Sequence, residues 1–557
     1  MKNALYAGPI LLFTFLFIAN IYTAKAQGWQ WVASATCPKA QCEGGPVAVD
    51  QQGNVYACGS LSQSGGATVY PLENIFGLDT LIDSSGMFSM VIVSMDSAGN
   101  PRWQIGTQFG QPLANEIKAD PYGNIYILGQ SYTSGFHFGG IYFSSTSSNP
   151  YFCAKITSAG TVLWIREIPE VIPAMFSINS TGNLYFTGAF LHVATIGTTT
   201  LIDSNNNFTT DVYLAKYDSA FNPLWALCFG SDSENAAINI ALTGDSDVYI
   251  SGTYASQSMT IGTYTVTSGP PTARLNIFTA KFSGNGNLLW AKSVVADTSA
   301  FIHGGSTDNY GNVYLTGGYT GNISFGPYAM PPALGIYRLF LWKYDSSGNP
   351  QWARTLEDNQ MQWASTVNAD NCGNIWLLGM YTSAGSVTFP DPMFMAHYDN
   401  AGNFIDTVYI GSGGDDGGYM TVDNKGSVYV SSDYFGSTYF GSNYLQLSDS
   451  SIEDLYIAKY IYDLPSCVPD TIPLQSSELT TKQSIVIYPN PTAMQLSIES
   501  GNEFINAICI FNLLGQVVHN TPVLGSITHV TVDVSNLPSG VYFIKVNNTE
   551  VRKFVKE

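Results

Sequence analysis

A chain of 557 residues is too long to close over a single hydrophobic core unless its units repeat around an axis. With 13% aromatic residues, only 11% charged ones and 54 glycines, it is unlike a disordered chain and suits many short strands joined by tight turns. Its formal charge of −20 repels phosphate backbones, which excludes nucleic acid as a natural partner and leaves cations, basic proteins and neutral glycans.

The N-terminus reads as an export signal. Lys2 supplies a positive start, an apolar run extends from Ile10 to Ile21, and Ala24-Lys25-Ala26 is a small-x-small cleavage site. Residues 1–26 are therefore expected to be a signal peptide, with the mature chain starting at Gln27. The run is shorter than the ~20 residues a spanning helix needs, and no later stretch is long enough to span as a helix. No transmembrane segment is expected after signal cleavage.

Three motifs then recur at a spacing of about sixty residues. The first is a Gly-Asn turn running into a strand that begins apolar-aromatic, as in Gly53-Asn54-Val55-Tyr56, Gly123-Asn124-Ile125-Tyr126 and Gly311-Asn312-Val313-Tyr314. Further copies end at Tyr185, Tyr249, Trp376 and Tyr429. The second is an apolar strand ending in Lys-aromatic-Asp, best seen at Leu214–Asp218 and Leu341–Asp345. The third follows across another Gly-Asn turn and delivers a tryptophan: Trp103, Trp164, Trp225, Trp290 and Trp352. Its sixth copy has Asp406 in the tryptophan place. After Tyr460 no tryptophan strand follows, whereas Gln30-Trp31-Val32-Ala33 near the N-terminus matches one.

That offset predicts a ring whose last sheet borrows its outer strand from the N-terminus, because a ring must be latched where its ends meet. The expected fold class is all-β: a seven-bladed β-propeller over residues 27–463, closed by an N-terminal strand. Each blade would have four antiparallel strands, with Trp31, Trp103, Trp164, Trp225, Trp290 and Trp352 packing between blades.

The Asp-x-x-Gly-Asn turns, as at Asp120–Asn124 and Asp345–Asn349, read as Asp-capped turns with a left-handed glycine rather than as calcium loops. Cys37 and Cys42 lie close enough to staple one loop in an oxidising compartment. Cys58, Cys153, Cys228 and Cys509 fall in strands and read as small buried apolar residues.

Both short turns belong on one side of the ring and the long, variable links on the other, so the long-link side is the expected functional face. Links between blades there are acidic, with Asp232, Glu234, Glu357, Asp358, Asp415 and Asp416 as a candidate ligand or cation face and Glu167, Glu170 and Asp297 nearby. Such a rim could hold a divalent cation such as calcium through oxygen ligands or attract a basic partner, and no cofactor is otherwise expected. Catalytic signals are weak. Asp345–Trp352 resembles the Asp box of sialidase-like propellers only loosely, and His137, His192, His303 and His397 are scattered singly with no nucleophile motif beside them. The chain is expected not to be an enzyme.

Residues 464–483 are Pro- and Ser-rich and read as a linker. Residues 484–557 carry seven short strands and predict a small Ig-like β-sandwich. Within them Tyr488-Pro489-Asn490-Pro491-Thr492, Phe511–Val517 with Gly515, Val534–Tyr542 with Gly540, and the basic Arg552–Lys556 resemble, in order, the motifs of the type IX secretion C-terminal sorting domain, type A. The resemblance implies a Bacteroidota source, handling by the type IX secretion machinery and a sortase-like peptidase, and a secreted or outer cell-surface product. The repeats separately resemble SBBP-type β-propeller repeats, a family without one activity. Together these imply a non-catalytic binding or adhesion module for a glycan or protein. The alternatives are an extracellular polysaccharide hydrolase or lyase and a structural surface-layer component.

Overall fold

The computed structural model describes residues 28–37, 40–63, 72–83, 89–203, 209–243, 247–267, 275–356, 361–371, 373–382, 392–412, 418–447, 453–462, 485–500, 504–505, 507–512, 517–522, 527–546 and 550–557. Residues 1–26 and 464–483, expected to be signal and linker, lie outside them. The chain forms two compact units, Met1–Pro469 and Asp470–Glu557, and every described element is a β-strand.

The first unit repeats one arrangement. Ala40–Val49, Val55–Gln63, Ser89–Met95 and Pro101–Gln108 hydrogen bond in chain order as an antiparallel sheet. The same order recurs in sheets that begin at Pro112–Ala119, Val171–Ile178, Asn235–Thr243, Ser299–Thr307 and Met361–Ala369. A last sheet holds Tyr419–Val422, Ser427–Phe435 and Glu453–Ile461, and its fourth strand is Gly28–Ala35. Trp31 lies opposite Lys459 and Ala35 opposite Leu455 in that pairing.

The first strand of each sheet stands beside the first strand of the next, and Tyr419–Val422 stands beside Ala40–Val49. Cores fill the spaces between successive sheets: one joins Tyr249, Ile277 and Trp290 to Val313, Leu315 and Phe340 of the following sheet. Another joins Ile457 and Leu455 of the last sheet to Val55 and Val91 of the first. Middle strands such as Ser89–Met95 are buried along their whole length, as sheets covered on both faces require.

Tryptophans weld these interfaces. Trp290 Nε1 donates to Ser346 O (3.3 Å), and Lys281 Nζ donates to the same carbonyl (3.1 Å) while lying over the Tyr249 ring (5.1 Å). Trp225 and Lys216 share Gly284 O, Trp352 and Lys343 share Asn400 O, and Trp31 and Lys459 share Ser97 O. Trp103 donates to Ser158 O, and Trp164 packs on Phe221 (5.5 Å). In the first sheet, Ser94 stands in the lysine place. Arg102 supplies the cation, donating to Ser94 Oγ (3.1 Å) and the Tyr56 hydroxyl (3.3 Å).

Each carbonyl that accepts from a tryptophan belongs to the turn between the third and fourth strands of the next sheet. That pattern explains the degenerate sixth copy. The seventh sheet takes its third and fourth strands from opposite ends of the chain, so it has no such turn to receive a tryptophan. In the sixth sheet lysine, tyrosine and tryptophan are replaced as a set by His397, Trp376 and Asp406. His397 stacks on Trp376 (4.1 Å, 2° between planes), and Tyr462 closes edge-on over it (4.4 Å).

The long links do not form the open loops expected of them. Their described parts fold into hairpins: Leu72–Phe76 with Asp79–Asp83, Gly135–Phe138 with Ile141–Ser144, Val193–Ile196 with Thr199–Ile202, Ser258–Ile261 with Tyr264–Thr267, Ile323–Phe325 with Tyr328–Ala329, and Ser437–Phe440 with Asn443–Gln446. These hairpins run down the outer wall. His137 and Phe138 pair with Gln108 and Thr107 of the preceding sheet's outer strand, and Ile323 and Ser324 pair with Ala296 and Val295. An outer strand is an open edge, and the hairpins cover it.

The second unit has two sheets over one core. Ile485–Tyr488, Gln495–Ser500 and His529–Asp533 form one; Val517–Pro522, Ala507–Phe511, Gly540–Val546 and Glu550–Lys556 form the other. Leu496, Ile498, Ile508, Ile510, Tyr542 and Phe554 are buried between them.

Candidate functional site

The turn carboxylates are occupied locally. Asp308 Oδ1 accepts the N–H groups of Tyr310 and Asn312 (both 2.9 Å), and its Oδ2 accepts the Asn312 amide (2.6 Å) and the Tyr314 hydroxyl (2.8 Å). Asp50 repeats the set on Gln52, Asn54 and Tyr56. Hydrogen bonds from the Asn100 side chain and backbone hold Asp96 below the usual carboxylate range. Burial, with Asp50 beside it, pushes the Tyr56 phenol up to about 12.

A cavity of ≈ 280 Å³ lies on the axis, lined by residues from the first strands of all seven sheets. Register shifts interrupt those strands at Asn115, Ala174, Ile238, His303 and Ser365, so bulges re-aim side chains at corresponding heights. Glu116 is the one carboxylate among the described lining residues, and it pairs with Lys118 at 2.6 Å. Burial lowers the His303 imidazole to about 4, so it is neutral at physiological pH. The bulges were not legible in the sequence, because an extra residue in a strand demands no particular side chain.

Three of the described acids of the inter-sheet links hold the hairpins. Glu167 accepts the Ser145 hydroxyl (2.6 Å), Glu170 the Thr195 N–H (2.7 Å) and Asp297 the Asn322 N–H (2.7 Å). Asp232 and Glu234 are exposed and do not line the axial cavity, while Glu357, Asp358, Asp415 and Asp416 lie outside the described residues. Among the described residues no group of three or more His, Cys, Asp or Glu is placed to hold a metal. A separate cleft between the last and first sheets brings together Glu43, Asp433, Glu453 and Tyr419.

Cys37 and Cys42 are joined, with Cα atoms 5.9 Å apart, and Asp454 accepts the Cys37 N–H at 2.9 Å. The staple thus sits where the N-terminal strand turns into the first sheet. Cys58 and Cys153 are buried as expected, but Cys228 and Cys509 are half-buried. Cys228 lies on an outer strand and Cys509 on the alternate face of an amphipathic one.

In the tail, the sorting motif clasps the C-terminal strand. The Asn490 amide donates to Lys553 O (3.0 Å) and accepts from Val555 N–H (2.8 Å), and Thr492 N–H donates to Val555 O. Tyr488 donates to Glu499 (3.2 Å), and Pro489 and Pro491 flank Asn490. Gly540 opens a strand whose Tyr542 hydroxyl donates to Pro538 O (2.9 Å); Gly515 lies outside the described residues.

Large rings stand on the outer wall. Phe109, Tyr142, Tyr409 and Tyr439 are more than half exposed, and Tyr439 meets Tyr444 at 4.7 Å.

An all-β chain of repeated four-stranded sheets with a small two-sheet tail is the class these observations define. Residues 486–557 match the model of the secretion system C-terminal sorting domain, so the chain carries the type IX sorting tail and is secreted or held on the outer cell surface. An uncharacterised WD repeat-containing protein of Acanthamoeba polyphaga mimivirus is 23% identical over 32% of this chain, and the match spans 15% of that protein. Among solved structures, the β-propeller domain of the Trilobed protease from Pyrococcus furiosus is 10% identical, with 74% of this chain and 96% of that chain covered and a TM-score of 0.39. An ulvanlyase, a polysaccharide lyase, is 10% identical over 71% of this chain and 92% of that chain, with a TM-score of 0.33. These scores carry no weight for activity. Among the described residues no helix is long and apolar enough to cross a membrane.

Proposed function

We propose that the first unit is a seven-bladed β-propeller closed by its N-terminal strand, built of SBBP-type repeats and followed by an Ig-like sandwich used for sorting. Outside a Bacteroidota cell it serves as a non-catalytic binding or adhesion module for a glycan or protein, exported with a signal peptide that is removed after Ala26. The observation that carries the binding reading is the display of Phe109, Tyr142, Tyr439 and Tyr444 on a hydrogen-bonded wall, where burial gives them little and partner contact gives much. A glycan-array screen of the full chain, run with calcium and with chelator, tests it. Saturable binding to one glycan class supports the module, and loss under chelator would bring in the acidic links. A blank array moves the reading to a protein partner.

A second reading, an extracellular polysaccharide hydrolase or lyase, is favoured by the cleft of Glu43, Asp433, Glu453 and Tyr419, since paired carboxylates are what glycoside cleavage uses. Release of reducing ends or of unsaturated sugar from the array's ligands, abolished by Glu43→Gln, would establish it.

A further inference from the structure

We propose that Phe109, His137 and Tyr142 form a stacking platform for a neutral polysaccharide on the outer wall between the first and second sheets. The proposal rests on the binding reading above and names its site and ligand class.

The three rings are in contact and face solvent. His137 and Tyr142 are cross-strand partners on their hairpin, with ring centroids 4.7 Å apart and planes 41° apart. Phe109 meets His137 edge-on at 5.9 Å. Phe109 is 57% exposed and Tyr142 61%. On the opposite face of the same hairpin Phe136, Phe138 and Phe143 are buried, so the fold takes its anchorage there and not from the exposed rings.

Phe109 is held where a bulky residue rarely sits. Its φ is +58°, in the left-handed region, and it is followed by Gly110, where a Cβ would fall 2.5 Å from that of Phe136. The link between the second and third sheets also has a left-handed residue, Glu170, but it does structural work by accepting the Thr195 N–H of the next hairpin. Between the first and second sheets that tie is made by backbone pairing of His137 with Gln108 and Phe138 with Thr107. The Phe109 ring is left over for another purpose. Its loop is also fixed, since Tyr132 N–H donates to Gln111 O (2.9 Å) and Gln111 N–H to Thr133 Oγ1 (3.2 Å).

Charge selects the ligand. Neither Trp103–Asn115 nor Pro121–Ala154 contains an Asp, Glu, Lys or Arg, in a chain whose net charge is −20. The rim beside the rings is amide and hydroxyl: Gln108, Gln111, Thr133 and Ser134. Aromatic faces flanked by amides and hydroxyls suit a pyranose, which offers C–H faces for stacking and hydroxyl edges for hydrogen bonding. An anionic chain would meet no Lys or Arg from either stretch, would face Glu167 where it holds Ser145 of the same hairpin, and would be repelled by the protein's overall field. Corresponding outward pairs on the third and fourth hairpins are Thr195 with Thr200 and Thr260 with Thr265, so the wall folds without rings at these positions.

Affinity electrophoresis of the full chain in native gels containing hydroxyethylcellulose, galactomannan or alginate tests the proposal. At least one neutral polymer should retard the wild type, and Tyr142→Thr and Phe109→Ala should each weaken that retardation by about tenfold or more. Tyr310→Ala, an exposed ring in the turn Asp308–Asn312 of the fifth sheet, should leave it unchanged. Melting temperatures of the variants, read alongside, separate lost binding from lost folding, and Tyr142→Thr copies a pairing the other hairpins already use. Equal retardation of wild type, Tyr142→Thr and Phe109→Ala would overturn the platform and leave the binding reading standing. No retardation of the wild type by either neutral polymer, or stronger retardation by alginate, would overturn the choice of ligand. A dimer that Tyr142→Thr dissolves would assign the rings to a second copy of the chain and overturn it as well.

Discussion

Trp290 shows what one side chain does for its neighbours. It is buried, donates to Ser346 O of the following sheet, and packs on Gly348, whose φ is +80°. Truncation to alanine should cost about 3–5 kcal/mol, the usual penalty for emptying an aromatic site, measured by denaturant unfolding. Gly348→Ala should destabilise for a different reason: its Cβ would lie 2.8 Å from Trp290 and the left-handed backbone disfavours it. His397 reports through pH. Burial lowers it to about 4 from the ordinary 6.5, so between those values the unfolded chain binds a proton that the folded chain refuses. Stability should therefore fall as pH drops from 6.5 to 4, and His397→Phe should flatten that limb of the pH–stability curve. An unchanged slope would contradict the account of the sixth sheet.

The hairpins decide how the strands survive in water. Each lies along an outer strand that would otherwise present free N–H and C=O groups, and each buries apolar side chains such as Phe138, Ile261 and Phe325. Replacing residues 257–268 by a short Gly-Ser linker should leave the inner strands paired but expose the edge of the third sheet, where Thr260 bridges Gly230. The expected outcome is concentration-dependent association in light scattering with near-native circular dichroism. The strands themselves were legible, because turn, aromatic and tryptophan recur at fixed distances. The hairpins were not, since their lengths vary and they read as loops. A signal was present all the same: Phe76-Gly77, Phe138-Gly139, Ile196-Gly197, Ile261-Gly262, Phe325-Gly326 and Phe440-Gly441 are apolar-Gly pairs at the tip of every described hairpin. The exposed rings were invisible for a simpler reason. Tyr142 and the buried Phe143 look alike in a strand until it is known which face meets the wall.

At the scale of the whole molecule, two ends of a long chain meet in one sheet. The missing tryptophan strand after Tyr460 and its surplus copy at Trp31 foretold that meeting, and Gly28–Ala35 pairs with Glu453–Ile461. The same closure removes one turn from the ring, which is why His397 and Asp406 stand where most other sheets have lysine and tryptophan. Closure also bears on function, because loops and rings carried on a latched scaffold keep their geometry without a ligand to order them. Sorting lies in a separate compact unit with its own core, so its loss should leave the ring's melting transition in place. The most direct measurement is calorimetry of the chain from Gln27 onward, with and without residues 27–35. A ring latched by its N-terminal strand predicts a melting temperature lowered by many degrees, with unfolding of the seventh sheet first, whereas an unchanged melt would contradict the closure.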